Sequence, residues 1–396
     1  MAQRLIIAGG GLAGVLTAMA LLRLRPDVSL TLVEADARLG GVHTWSFYQS
    51  DLDAAATALV DPFVVHRWPG YETRFDGFAR TFSTPYRAIS SARLHAVATA
   101  ALGARVRLGT AVAEVAEDGV RLADGRRLEA DAVIDARGPA ALAGTVLRFQ
   151  KFLGRTLRLA APHGLTRPII MDATVPQLDG YRFVYTLPLD ADTVLVEDTT
   201  YGDDPTLDRP ALAARIDAYA AAMGWRVAAI AGEETGALPL LLACDVEALW
   251  AGAAPAGAGA PIGLRAGLFH PVTGYSLPMA ARTALALANG DGPLTTRRLR
   301  ASVEAIVRRH VAATLFDRML NRMLFLAGRP QDRHRVLARF HRLPQPLIER
   351  FYAGRLPRHD KLRILLGKPP VPLLEALRAL PEAAARRPLR RGGAAI

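Results

Sequence analysis

The chain has 396 residues, 51% of them hydrophobic and 22% charged, with 49 Lys and Arg against 37 Asp and Glu for a formal charge of +12. Such a length favours two lobes or one large α/β unit with an insertion, the composition excludes wholesale disorder and a polytopic membrane protein, and the charge points to nucleic acid or an anionic membrane surface. The only cysteine, Cys244, excludes an internal disulfide framework and a thiolate metal cluster and fits a reducing, cytoplasmic setting.

Residues Leu5 to Leu22 carry no charge, but three consecutive glycines interrupt the run, which reads as a buried strand and helix rather than a signal peptide or membrane span. Arg4-Leu-Ile-Ile-Ala8 suits a buried parallel strand, Leu12 to Arg25 a helix and Val28 to Val33 the next strand, the opening of a βαβ unit. Its first turn, Gly9-Gly-Gly11-Leu-Ala-Gly14, matches G-x-G-x-x-G, and Glu34 closes the second strand twenty residues after Gly14. In that context Gly9 permits the tight turn, Gly11 lets backbone approach a pyrophosphate, Gly14 lets helix pack on strand, and Glu34 holds ribose hydroxyls. An acid there suits the unphosphorylated ribose of FAD or NAD, and the downstream layout favours FAD.

Asp131-Ala-Val-Ile-Asp135 is another apolar strand of the same lobe. Tyr181 to Pro188 and Thr193 to Tyr201, β-branched and aromatic, read as a mid-chain antiparallel sheet, whereas the Gly-, Ala- and Pro-rich Ala248 to Leu264 reads as a loop. Gly263 to Arg282 returns to the nucleotide lobe. From Thr295 the pattern is helical and basic, with Phe316, Leu320, Met323 and Leu324 spaced to share a face, and Arg386, Arg387, Arg390 and Arg391 sit in a frayed tail. The expected fold is α/β with α+β elements. A Rossmann-like FAD-binding domain (residues 1–145 and 260–295) carries an inserted antiparallel-sheet substrate lobe (146–259), a helical, basic, membrane-facing region (296–380) and a flexible tail (381–396).

His43-Thr-Trp-Ser-Phe47, Phe149-Gln-Lys-Phe152, Met171-Asp-Ala173, Tyr181-Arg-Phe-Val-Tyr-Thr-Leu-Pro188, Val196-Glu-Asp-Thr199 and Phe269-His-Pro-Val-Thr-Gly-Tyr-Ser-Leu-Pro278 together resemble the bacterial lycopene β-cyclases. The resemblance runs from the first strand to about Leu366. It implies acid-catalysed cyclisation of the ψ ends of a linear carotene into β-ionone rings, with FAD in its reduced form, NADPH as reductant and no net redox change. The Leu-Glu-Glu-Thr motif of plant members falls on Val196 to Thr199, which makes Glu197 the functional acid with Asp198 beside it. The flavin-side segment carries over onto Gly267, Pro271, Gly274 and Tyr275, and Arg265-Ala-Gly267 stands where flavin hydroxylases have a Gly-Asp pair. By motif membership, Trp45, Phe47, Tyr185 and Tyr275 are candidates to support a carbocation through their π faces, and His43 and His270 to steer protons or the flavin.

The chemistry asks for such residues. Adding a proton to an alkene needs an acid that is strong yet regenerated, and a carboxyl whose ionisation is suppressed in an apolar cleft meets that need. Because the hydrocarbon substrate lives in a bilayer, a cytoplasmic, peripherally membrane-associated protein is expected. Arg350, Arg355, Arg358, Lys361 and Arg363, near Leu347, Phe351, Leu362 and Leu365, would meet anionic lipid. Nucleic acid is the poorer partner, since no reader motif accompanies the charge, and no metal site is expected. The residues leave two rivals open: a flavin monooxygenase or oxidoreductase on an apolar isoprenoid, consuming NADPH and oxygen, and a carotenoid-binding membrane-associated protein without turnover.

Overall fold

The computed structural model describes residues 3–178, 180–367 and 370–386; Arg387, Arg390 and Arg391 of the tail lie outside the described residues. Five parallel strands form the first sheet, in the order Ala260–Pro261, Ala132–Asp135, Gln3–Ala8, Val28–Val33 and Val106–Arg107. Leu5, Ile7, Leu30, Leu32 and Ile134 fill a core on one face, and Ile6, Ala8, Val33 and Val133 fill another on the opposite face. Burial on both faces is why these strands read as unbroken apolar runs. Helix Leu12–Leu24 follows the first strand and packs against helix Leu277–Ala288, so the late segment completes the lobe that the N-terminus begins.

A seven-stranded sheet forms the second layer, in the order Val227–Cys244, Thr145–Leu159, Thr193–Gly202, Arg182–Pro188, Ile169–Asp172, Tyr71–Phe75 and Phe78–Phe82. Its last two strands come from within residues 1–145, and Tyr71–Phe75 joins Ile169–Asp172 by parallel pairing. Alternation along the strands sorts their side chains. Leu153, Val184, Val194 and Val196 pack with Leu212 and Ile216 of helix Arg209–Ala222, while Tyr181, Phe183, Tyr185, Leu187 and Leu195 face an aromatic core that includes Tyr48, Tyr71 and Tyr86.

Two stretches differ from the sequence expectation. The first part of the segment read as a loop, Ala248 to Leu264, belongs to helix Val246–Ala253, because the Asp245 side chain accepts the backbone N–H groups of Glu247 and Ala248 and Leu249 is buried. In helix Leu315–Leu326, Leu320, Met323 and Leu324 share a face along one cavity, whereas Phe316 does not line it and Asp317, Arg318, Asn321, Arg322 and Phe325 are buried as well. Buried carbonyls need donors, and Arg322 supplies them to the oxygens of Leu242 at 2.6 Å, Leu380 at 2.5 Å and Ala379 at 3.1 Å. Residues Glu382–Ala385 form a helical turn whose Glu382 takes Arg318 at 2.7 Å.

Candidate active site

A cleft of about 530 Å³ runs from the glycine turn of the parallel sheet to the aromatic face of the seven-stranded sheet. At its first end Gly9 has φ +106°, and a Cβ there would lie 2.4 Å from the Ala136 carbonyl oxygen. Gly14 is as constrained, since its Cβ would stand 2.0 Å from the Gly9 oxygen, whereas a Cβ on Gly11 would meet nothing within 4 Å. The turn is therefore held closed from behind by Gly9 and Gly14 and left open toward the cleft at Gly11, the N-cap of helix Leu12–Leu24. An open helix N-terminus with unpaired N–H groups fits a pyrophosphate. The Glu34 carboxylate, also lining the cleft, accepts the N–H of Gly10 at 2.6 Å and of Asp36 at 2.9 Å, which fixes it and leaves a lone pair on each oxygen for ribose hydroxyls. These residues fit the ADP half of FAD.

At the other end, Glu197 projects from strand Thr193–Gly202 into the cleft. Its register neighbours explain its setting. Tyr185 lies opposite it on one side and Gly154 on the other, and Gly154 is in turn opposite Glu234 of strand Val227–Cys244. Strand spacing puts the backbones of Glu197 and Glu234 about 10 Å apart, with only a hydrogen atom of Gly154 between the two side chains on this face. A Cβ on Gly154 would stand 2.8 Å from Cγ of Glu197 and 3.2 Å from Cγ of Glu234. Glu234 Oε2 accepts the Thr44 backbone N–H at 2.8 Å, and its buried Oε1 has no hydrogen-bond partner among the described residues. Burial first, then the neighbouring Glu234 carboxylate, pushes Glu197 well above the ordinary carboxylate range. Burial also raises Glu234, opposed by the Thr44 N–H.

Of the residues named from sequence, Gly9, Gly11, Glu34, His43, Trp45, Tyr185, Glu197, Gly274 and Tyr275 line this one cleft. The structure does not bring the others there. Asp198 points to the opposite face of its strand, in a buried ion pair with Arg182 at 2.6 Å. Gly14 sits beneath the turn, Phe47 is in the core, and Gly267 caps a 3₁₀ turn against Leu249. The Pro271 oxygen accepts Asn321 Nδ2 at 2.7 Å. His270 is a satisfied histidine, its Nε2 donating to the Phe351 oxygen at 3.1 Å and its Nδ1 accepting the Val272 N–H at 3.3 Å. Arg265 faces Asp135 at 3.4 Å. Sequence reasoning missed Glu234, Gly154 and Gln150. The available signal was the adjacent acids Glu233 and Glu234 ahead of an apolar run.

Gln150 and Tyr275 also line a second cavity, of about 360 Å³, walled by Phe183, Tyr201, Leu320, Met323 and Leu324 of the aromatic core and the C-terminal helices. Its far side reaches Leu365, Leu373, Leu377 and Leu380, whose side chains are also exposed on the outer surface. The two cavities thus meet at Gln150 and Tyr275, and the second is bordered by a leucine-rich stretch of surface.

Buried titratable groups set the pH response. Burial lifts Asp51 and Asp317 to about 7 and Glu197 well upward, and drives His270, His310 and His341 down to about 4. Each histidine, protonated below about pH 6.5 only when unfolded, makes stability fall as pH drops toward about 4. Each carboxyl, protonated above about pH 4.5 only when folded, makes stability fall as pH rises through its folded value. Between about pH 4.5 and 6.5 the two sets oppose. Denaturant titrations in that window should change by less than about 1.4 kcal/mol per pH unit, the slope of one proton; a slope of two protons would refute the balance.

The family model described as lycopene cyclase protein matches residues 4–378. The chain is 51% identical over 377 residues to a lycopene beta-cyclase of Pseudescherichia vulneris, covering 95% of this chain and 96% of that protein. It is 46% identical over 376 residues to a lycopene beta-cyclase of Pantoea ananas, covering 95% and 97%. In structure it is similar to a flavin-dependent halogenase from Xanthomonas campestris, with a TM-score of 0.61 at 14% identity over 98% of this chain and 94% of the other. The halogenase speaks for the fold, that of the FAD-binding Rossmann-type flavoenzymes, with a helical C-terminal region. The match over residues 4–378 and the level of identity speak for the family: this chain belongs to the lycopene cyclases.

Proposed function

We propose that this protein closes the ψ ends of lycopene into β-ionone rings by proton transfer from Glu197, giving γ-carotene and then β-carotene without net redox change, with FAD kept reduced by NADPH. The observation that carries this reading is a buried carboxyl, Glu197, whose ionisation is opposed by burial and by Glu234, in the same cleft as the dinucleotide cradle. Glu197 gives its proton to the less substituted carbon of the terminal double bond, and the next double bond attacks the tertiary cation. Loss of a proton from the ring carbon then restores an alkene, and the acid is regenerated. Trp45, Tyr185 and Tyr275 line the cleft and offer π density to the cation. Gly9, Gly11 and Glu34 would hold the ADP half of FAD, with Gly274 and Tyr275 toward its other end. Reduced flavin, when bound, would supply an electron-rich, anionic group able to stabilise a developing positive charge.

The residues divide accordingly. Residues 1–145 and 260–295 serve flavin binding, apart from the strands Tyr71–Phe75 and Phe78–Phe82, which belong to the sheet of the substrate lobe, 146–259. The test is pigment analysis after expression in a lycopene-accumulating host, where ring closure changes colour and retention without changing mass. A product heavier by oxygen would favour the monooxygenase reading instead.

Residues 296–380 would meet an anionic membrane surface. No helix among the described residues is long and apolar enough to cross a membrane. Leu347 and Phe351, two of the apolar groups expected at that surface, are buried. Leu362, Leu365, Leu366, Leu373, Leu374 and Leu377 are exposed instead, beside Arg358, Lys361, Arg363 and Arg378. Arg350 is engaged by Asp360 at 2.6 Å. Flotation with anionic vesicles should be strong at about 0.01 M salt and weak at about 1 M, as the screening length shrinks from about 30 Å to about 3 Å. Flotation indifferent to salt and lipid charge would count against it.

A further inference from the structure

Resting on the reading above, we propose that Glu234 is the general base of ring closure: it takes the proton that the ring carbon loses and returns it to Glu197 across the gap that Gly154 leaves open. The geometry gives the two carboxyls different jobs. Both line the cleft on the same face of the sheet, separated by the one residue type with no side chain to intervene. Thr44 donates its backbone N–H to Glu234 Oε2 and favours the charged form of that carboxyl. Glu234 Oε1 is buried without a partner among the described residues, an acceptor left free on the side of a protein where free acceptors are costly. Two like charges this close cannot both persist, so the pair holds one proton, on Glu197, with Glu234 as the anion.

The cycle then balances. Glu197 loses its proton to the alkene, the new carbon–carbon bond forms, and the C–H bond on the ring carbon breaks with its electrons becoming the ring double bond. Glu234 receives that proton and hands it to the Glu197 carboxylate. No proton is consumed, and no oxidant or reductant enters the step.

Glu234→Gln tests it. The amide oxygen still accepts the Thr44 N–H, so a role limited to holding that strand would leave the rate near wild type. A base cannot be replaced by an amide, and the rate of ring formation by flavin-loaded protein on lycopene in vesicles should fall by about a hundred- to ten-thousand-fold. Wild-type kcat/KM should be bell-shaped in pH, the acidic limb reporting protonation of the pair to its two-proton form. In Glu234→Gln the acidic limb should vanish from the residual rate. Gly154→Ala is the second variant: its Cβ forces the carboxyls apart, and it should bind flavin normally yet lose rate. Near-wild-type turnover with both limbs intact in Glu234→Gln, or unimpaired turnover in Gly154→Ala, would overturn the proposal. If wild type forms no ring, or Glu197→Gln still does, the underlying reading fails instead.

Discussion

Glu197→Gln should stop ring closure while leaving fold and flavin intact. The amide keeps nearly the same shape but has no acidic proton to give, and losing general acid catalysis costs about a hundred- to ten-thousand-fold. Linear carotene should accumulate in the expressing host. The neighbouring substitution separates chemistry from packing. Asp198 is fully buried against Arg182 on the other face of the strand, so Asp198→Asn leaves a guanidinium without its counter-charge and should destabilise the protein by about 3–5 kcal/mol, read as a lowered denaturation midpoint. A Glu197→Gln protein that binds flavin and converts lycopene at near the wild-type rate would remove Glu197 as the proton donor.

Gly11→Val should abolish flavin binding without harming the apoprotein. Gly11 has φ −70° and ψ −176°, a conformation open to any residue, and its Cβ position meets no atom within 4 Å. The added side chain therefore projects into the cleft, where a pyrophosphate would otherwise reach the helix N-terminus. Losing two hydrogen bonds to a charged group, at about 1.5–3 kcal/mol each, weakens binding by more than about a hundredfold. The measurement is flavin per chain by absorbance together with the melting temperature of the flavin-free protein. A variant that retains a full complement of flavin would refute the cradle. Gly14→Ala offers the contrast, because its Cβ would collide with the Gly9 oxygen and damage the fold itself.

The N-terminal half of the site was legible because its information is local: strand, turn, helix and Glu34 all fall within the first 34 residues and obey spacing rules. Glu197 was legible through motif and alternation, which also say that Asp198 must look the other way. Glu234 was not. Its 18-residue strand, Val227–Cys244, opens with an exposed Ala- and Gly-rich stretch that carries no apolar alternation, and it is a strand because Thr145–Leu159 pairs with it along its length. The two rows of a sheet that bring Gly154 between two acids are set by long-range register, which one-dimensional spacing does not contain. His270 and Phe47 failed for a related reason: membership in a motif places a residue along the chain but not the direction in which its side chain points.

If the proposed acid pair is reached only by way of the leucine-bordered cavity, a substrate reactive at both termini meets a kinetic consequence. A polyene entering end first past those leucines would present one terminus to Glu197 while the other trailed toward the surface. The second terminus would then meet the acid only after the molecule had withdrawn, turned over and come back. The monocyclic carotene would thus be a released species rather than a held one, open to any competing enzyme. The ratio of one-ringed to two-ringed pigment would then reflect how much fresh substrate competes for entry, as much as any preference built into the site.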